Sequence, residues 1–153
     1  MIVTAVDDGR SAGGTADFAA ALVRLLTGRS PDHAVSAGDP ATRAVVARST
    51  VVVLTVSVDD GTVPSEVLAL ADARPFAPGA LVVPASVGPW PAESVTLDHV
   101  LVPRLIGGRT CITPVLHVPS ADAPAVGLYC RRWAPVVAWL AGVAARSLDG
   151  RAA

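Results

Sequence analysis

Val51-Val52-Val53-Leu54-Thr55-Val56-Ser57 is the stretch whose reading decides the fold. It is nearly continuous Val and Leu, with no polar residue at alternate positions. A strand exposed on one face alternates apolar and polar residues. A strand without that alternation is covered on both faces, which is the situation in a parallel sheet sandwiched between helices. On its N-terminal side, Asp39-Pro40 supplies an N-cap and a first-turn proline for a helix running to about Arg48. On its C-terminal side, Pro64-Ser65 opens another helix, to about Ala73. Helix, buried strand, helix is the repeating unit of such a sandwich.

The same grammar extends outward. Ile2 to Val6 reads as a strand, and Thr15 to Thr27 as a helix with Phe18, Leu22, Leu25 and Leu26 on one face. His33 to Val35 reads as a short strand and Ala80 to Ala85 as the fourth. Ser94 caps a helix to about Ile106, with Pro103 expected to kink or shorten it and Gly107-Gly108 to stop it. Cys111 to Val118 reads as the fifth strand. A last helix is expected from about Leu128 or Pro135 to Arg146, with Val136, Val137, Leu140 and Val143 inward. Strands alternating with helices argue an α/β three-layer sandwich around a five-stranded parallel sheet. Five strands in one domain suit the flavodoxin-like order 2-1-3-4-5.

The whole chain, 153 residues, fits one domain. Hydrophobic residues make up 52% and charged residues 16%, and mean hydropathy is +0.53, which excludes disorder. A net charge of -1 offers no basic footprint for nucleic acid. All twelve basic residues are arginine; the chain has no lysine. The longest uncharged apolar run, Trp133 to Ala145, is shorter than the roughly 20 residues a spanning helix needs, so no membrane is expected. Met1 leads into a strand with no basic run before it, and Cys111 and Cys130 form no disulfide framework. A cytoplasmic, reducing setting is the expectation. The apolar excess in so small a domain is expected to include a homo-oligomer face.

Ligands of open α/β sheets bind at the carboxyl ends of the strands, near the switch point. Three loops form that edge: Asp7 to Thr15, Ser57 to Pro64, and Ser86 to Glu93. The first is rich in small residues and ends at a helix N-terminus, whose free N–H groups and dipole favour an anion such as phosphate. Ser11, Gly13, Gly14 and Thr15 let donors approach closely, and Arg10 adds positive charge. The same residues also read as a plain turn.

The chain resembles the NADPH-dependent FMN reductase family of flavodoxin-like proteins. Family members carry G-S-x-R-x-x-S-x-T after the first strand; here Asp7-Asp8-Gly9-Arg10-Ser11-Ala12-Gly13-Gly14-Thr15 keeps Arg10 and Thr15. The second family loop, roughly P-x-Y-N-G-S-x-P-G-x-L-K-x-x-x-D, aligns without a gap on Ser57 to Asp72, with Gly61, Pro64 and Asp72 matching and Thr62 conservative. Asp59 stands where the family has an aromatic residue, and Leu68 where it has lysine. The resemblance implies a flavoprotein that binds FMN without a covalent bond, passes electrons from NAD(P)H, and assembles as a homo-oligomer. It implies that Arg10, Ser11, Gly13, Gly14 and Thr15 hold the phosphate. Loops around Gly61, Thr62, Ser86 and Gly88 would hold the ring, with Trp90 stacking on it or covering the core edge.

The departures carry their own chemistry. Asp7, Asp8, Asp59 and Asp60 gather at one sheet edge. Each close pair of a carboxylate with a phosphate costs about 1 kcal/mol in water-like surroundings and several at an effective dielectric near 20. Weakened or absent FMN binding follows, and with it an alternative: a flavin-free relative serving as an accessory subunit or a non-redox biosynthetic enzyme. Asp7, Asp8 and Asp59 also suit a divalent cation. Paired acids of this kind occur in phosphoreceiver domains, but those need a lysine after the fifth strand, where this chain has Thr113-Pro114. His33, His99 and His117 share no metal-ligand spacing and read as structural or surface residues. Cys111 is expected to be buried. Cys130, beside Arg131-Arg132, has no base to pair with. No catalytic side chain is assigned.

Overall fold

Six consecutive buried residues, Val51–Val56, form the middle of the sheet as strand β3. Their side chains alternate between two separate cores. Val51 and Val53 join one; Val52, Leu54 and Val56 join the other. Fully burying a Val or Leu side chain is worth about 1.5–3 kcal/mol, so this strand is a principal source of stability. The computed structural model describes all residues except 11–13, 59–60, 89–90, 108, 121–122 and 150–153, and gives the backbone alone at 93, 141 and 144–149.

Strand β1 (Val3–Asp7) pairs with β3 on one side and with β2 (His33–Ser36) on the other, all parallel. β4 (Leu81–Val87) pairs with β3 across six residues, from Val51↔Leu81 to Val56↔Ser86. The order is β2-β1-β3-β4-β5, with a sixth segment also pairing with β4. That sixth segment corrects the sequence expectation of one fifth strand over Cys111 to Val118. The strand breaks into β5 (Cys111–Ile112) and β6 (Leu116–Val118). Ile112 lies opposite Val82 and Leu116 opposite Ala85, so the outer strand carries one residue more than β4 over that interval. The cause is Pro114, which has no N–H for the ladder.

Helices α1 (Gly14–Thr27) and α6 (Pro124–Asp149) cover one face. Phe18, Leu22 and Leu26 of α1 meet the sheet at helical spacing. Leu25, expected on that stripe, is 54% exposed, because it falls a quarter-turn beyond it. α6 starts ahead of the expected Leu128 or Pro135. Its inward stripe is Val126, Cys130, Trp133, Val137 and Leu140. Val136, expected inward, is half-buried beside it. Tyr129 anchors this helix to the break in the outer strand. Its hydroxyl donates to the Pro114 carbonyl at 2.9 Å, so the Thr113 hydroxyl donates to Tyr129 at 2.7 Å.

The other face carries α2 (Thr42–Val46), α3 (Ser65–Ala73), α4 (Ala92–Thr96) and α5 (Val102–Ile106). α2 is shorter than its predicted span because Asp39 caps a turn instead of the helix: its Oδ1 accepts the Ala41 N–H at 2.8 Å. Between α4 and α5 the chain widens into a π-helical turn, Leu97–Leu101. It ends two residues before Pro103, whose missing N–H and bulky ring a continuous α-helix through that point would not tolerate. The predicted kink is thus absorbed as a π turn, and Leu97, Leu101 and Leu105 stay buried at four-residue spacing.

Candidate functional site

The carboxyl ends of β1 and β3 are neighbours, and the chain leaves them in opposite directions. After β1 it enters α1 on one face; after β3 it enters α3 on the other. This is the switch point of the sheet. Asp8 sits there, 3% exposed. A buried carboxylate survives only if its oxygens are satisfied. Asp8 Oδ1 accepts the Thr15 hydroxyl at 3.0 Å and the Arg10 N–H at 3.2 Å. Asp8 Oδ2 accepts the Ser57 N–H at 2.6 Å and also the Ser57 hydroxyl. One side chain therefore ties the β1–α1 loop to the first residue after β3. A second tie runs beside it: the buried Thr55 hydroxyl is 2.9 Å from the Thr15 carbonyl and 3.2 Å from that of Val6.

Asp7 points elsewhere. It is half-buried, and its Oδ1 accepts the Gly9 N–H at 2.7 Å. Burial raises its carboxyl above the usual carboxylate range, the Gly9 bond pulls it down, and the neighbouring Asp8 charge raises it again. Gly9 has φ +73°, and a Cβ there would lie 2.5 Å from Ser36 Oγ. Only glycine allows this close passage between the ends of β1 and β2.

Of the predicted phosphate-holding residues, Arg10, Gly14 and Thr15 lie together at this edge. Ser11 and Gly13 lie outside the described residues. Thr15 and the Arg10 backbone are turned toward Asp8. On the ring side, Gly61 (φ +72°) and Thr62 are exposed after β3. Gly88 closes β4 against β6 through its N–H to the Val118 carbonyl at 3.0 Å. Trp90 lies outside the described residues. Ser86 is fully buried, and its hydroxyl is 2.9 Å from His117 Nδ1. Its side chain faces into the protein, not toward a ligand edge. His117, read from sequence as structural or surface, thus holds the inward-facing Ser86 hydroxyl. The signal is the register: the two are directly opposite each other on β4 and β6.

Of the proposed cation ligands, Asp59 lies outside the described residues, and Asp8 has both oxygens taken by four protein donors. Among the described residues no three His, Cys, Asp or Glu side chains converge on a metal position. Cys111 does not have the buried environment expected of it. Cys111 is exposed, and Cys130 is buried in the α6 stripe, where burial pushes its thiol up. Arg131 and Arg132 point outward and do not offset that. Among the described residues, no helix is long and apolar enough to cross a membrane.

Whether the edge suits FMN turns on its own donors. A phosphate at the β1–α1 loop needs the Thr15 hydroxyl and the loop N–H groups. Those of Thr15 and Arg10 already serve Asp8, so the described residues admit a phosphate only in competition with that carboxylate. No protein-family model and no curated protein matches the chain. Solved structures do. An NADH:FMN oxidoreductase in its apo form aligns over 88% of this chain and 87% of its own, at TM-score 0.64 and 17% identity. Oxidised flavodoxin 1 from Bacillus cereus covers 90% and 96%, at 0.65 and 16%. An oxidoreductase from Corynebacterium diphtheriae covers 93% and 96%, at 0.67 and 17%. Strand order and these likenesses together make the chain a flavodoxin-like α/β domain.

Proposed function

We propose that the chain is a flavin-related oxidoreductase, similar to the NAD(P)H-dependent FMN reductases, with a degenerate flavin site. FMN binds it weakly at the carboxyl edge of β1, β3 and β4, and NAD(P)H is the reductant. The observation that carries this reading is Asp8. It sits where the family-like loop would present donors to a phosphate, and it takes the Thr15 and Arg10 donors for itself. A flavin phosphate must displace those bonds and approach a fixed negative charge. The fold and its likeness to an NADH:FMN oxidoreductase and to flavodoxins support the flavin class. Arg10, Thr15, Gly61, Thr62 and Gly88 frame the edge, with Ser11, Gly13 and Trp90 assigned by the sequence resemblance. The proposed setting is cytoplasmic. The proposed assembly is a homo-oligomer, for which the exposed Leu128 and Trp139 of α6 offer apolar surface.

The test is titration of the purified chain with FMN, followed by fluorescence quenching, and then addition of NADH or NADPH under anaerobic conditions. Saturable weak binding with bleaching of the flavin band supports the proposal. Stoichiometric flavin retained through purification refutes the degenerate site. Absence of any binding, with Asp8 intact, favours the second reading: a flavin-free relative acting as an accessory subunit or non-redox enzyme. That reading rests on the same Asp8 bonds.

A further inference from the structure

A cavity of about 380 Å³ opens between the β2–α2 connection and α3. Its size falls in the range of roughly 300–1,000 Å³ typical of small-molecule sites. Gly38, Asp39 and Pro40 come from the connection, Arg43 from α2, and Glu66 and Leu70 from α3. Hydrogen bonds hold the connection in place: the Ala37 N–H donates to the Asp7 carbonyl at 2.7 Å, and the Asp39 N–H to that of Ser36 at 3.0 Å. A Cβ on Gly38 would stand 3.5 Å from Glu66 Cγ, so the missing side chain lets α3 bring its glutamate up to the connection. Two carboxylates and one guanidinium thus line one space, and they do not pair. Among the described residues the Arg43 side chain makes no hydrogen bond or ion pair. Asp39 Oδ1 accepts the Ala41 N–H at 2.8 Å, and Glu66 Oε2 accepts the Ser65 hydroxyl at 3.1 Å. A carboxylate offers about four acceptor sites, so both keep room for a cation. The Glu66 backbone N–H and then the Ser65 hydroxyl hold its carboxyl below the usual range, so it is ionised at neutral pH. Of the charges beyond the lining, Arg10 and Asp8 act on it in opposite senses.

The balance of charge selects the occupant. Two negative groups against one positive leave the lining net negative. A phosphate would meet Arg43 but face both carboxylates. A divalent metal would have two carboxylates and a repelling guanidinium, and among the described residues no third acidic, His or Cys side chain converges there. A ligand with one carboxylate and two cationic groups complements all three. A guanidinium takes a carboxylate in bidentate fashion. Asp39 and Glu66 each face one cation. Leu70, 2% exposed, and Pro40 give apolar surface for the methylenes between. A free α-amino acid with a basic side chain carries these three charges at neutral pH.

We infer that the cavity between the β2–α2 connection and α3 binds a free basic α-amino acid, with Arg43 on its carboxylate and Asp39 and Glu66 on its two cationic groups. None of these three side chains belongs to the candidate flavin edge, so the inference stands or falls apart from flavin binding.

The experiment is heteronuclear NMR titration of the ¹⁵N-labelled full chain, at low salt, with L-lysine and L-arginine. L-Norleucine, which lacks the side-chain cation, and cadaverine, which lacks the carboxylate, are the comparison probes. An ionic contact in water-like surroundings is worth about a factor of five. L-Lysine or L-arginine therefore gives saturable shifts of the amides of residues 37–43 and 66–70, and norleucine and cadaverine each bind at least about fivefold more weakly. Arg43 is exposed, so Arg43→Ala leaves the fold intact. It weakens lysine by about the same factor and does not weaken cadaverine. Asp39→Asn and Glu66→Gln keep the acceptors for Ala41 and Ser65, and each weakens lysine likewise. No saturable shift with either basic amino acid overturns the inference. So do shifts confined to another part of the chain, norleucine or cadaverine binding as tightly as lysine, or an Arg43→Ala protein that binds lysine as the wild type does.

Discussion

Replacing Asp8 by Ala removes the acceptor for four donors at once: the Arg10 N–H, the Thr15 hydroxyl, and the N–H and hydroxyl of Ser57. A hydrogen bond to a charged group contributes about 1.5–3 kcal/mol net. Four of them do not add in full, because the substitution also abolishes the cost of burying the carboxylate, several kcal/mol for an ion this deep. Ser57 is half-buried and recovers water partners; Thr15, 4% exposed, does not. The balance is a loss of about 3 kcal/mol. For a domain of this size each kcal/mol moves the melting temperature by about 2–4 °C, so Asp8→Ala melts about 6–12 °C lower. Circular dichroism on heating and urea titration both read it. A double-mutant cycle with Ser57→Ala isolates the tie between the two loops and shows a coupling of about 1–3 kcal/mol. An Asp8→Ala protein that melts within a degree of the wild type, or a coupling near zero, refutes the reasoning.

Three further outcomes follow from the same geometry. Gly9→Ala forces an L-residue to φ +73° against Ser36 Oγ, and costs about 2 kcal/mol or more in urea unfolding; adding Ser36→Gly recovers the steric part. Tyr129 is the chain's only tyrosine, and burial pushes its hydroxyl up to about 12 from 10.0. Ultraviolet titration therefore shows tyrosinate in the folded chain only well above pH 10. The sign is that of a raised pKa: the contribution to stability is complete below pH 10 and lost as pH climbs toward 12. A thiol reagent labels Cys111 rapidly and Cys130 only on unfolding, as peptide mapping of the native protein would read.

The fold was legible because its decisive signals are local and apolar. The run Val51–Val56 admits one environment, buried on both sides, and Asp39-Pro40 and Pro64-Ser65 announce the helices flanking it, although the first begins only at Thr42. What escaped was set by proline and by contacts between distant segments. Pro114 breaks the outer strand at a position where Val and Ile on either side read as one strand. Pro103 is absorbed by a π turn that no periodicity announces. Cys111 was read as buried on a continuous fifth strand, whereas it is exposed on the two-residue segment β5. At the site, the sequence located the acidic edge but took Asp8 as a charge facing the ligand. Its actual partners, Thr15 and Ser57, are 7 and 49 residues away, and only the pairing of β1 with β3 brings Ser57 to it. Ser86 and His117 were missed as a pair for the same reason.

The central claim is that Asp8 occupies the place of a flavin phosphate. Side-by-side FMN titration of the wild type and Asp8→Ser tests it most directly. Serine removes one negative charge, and a like charge near a phosphate costs about 1 kcal/mol in water and about 4 at an effective dielectric of 20. The account predicts that Asp8→Ser binds FMN at least about fivefold more tightly than the wild type, every 1.4 kcal/mol being one factor of ten. Equal or weaker binding by a folded Asp8→Ser protein would contradict it.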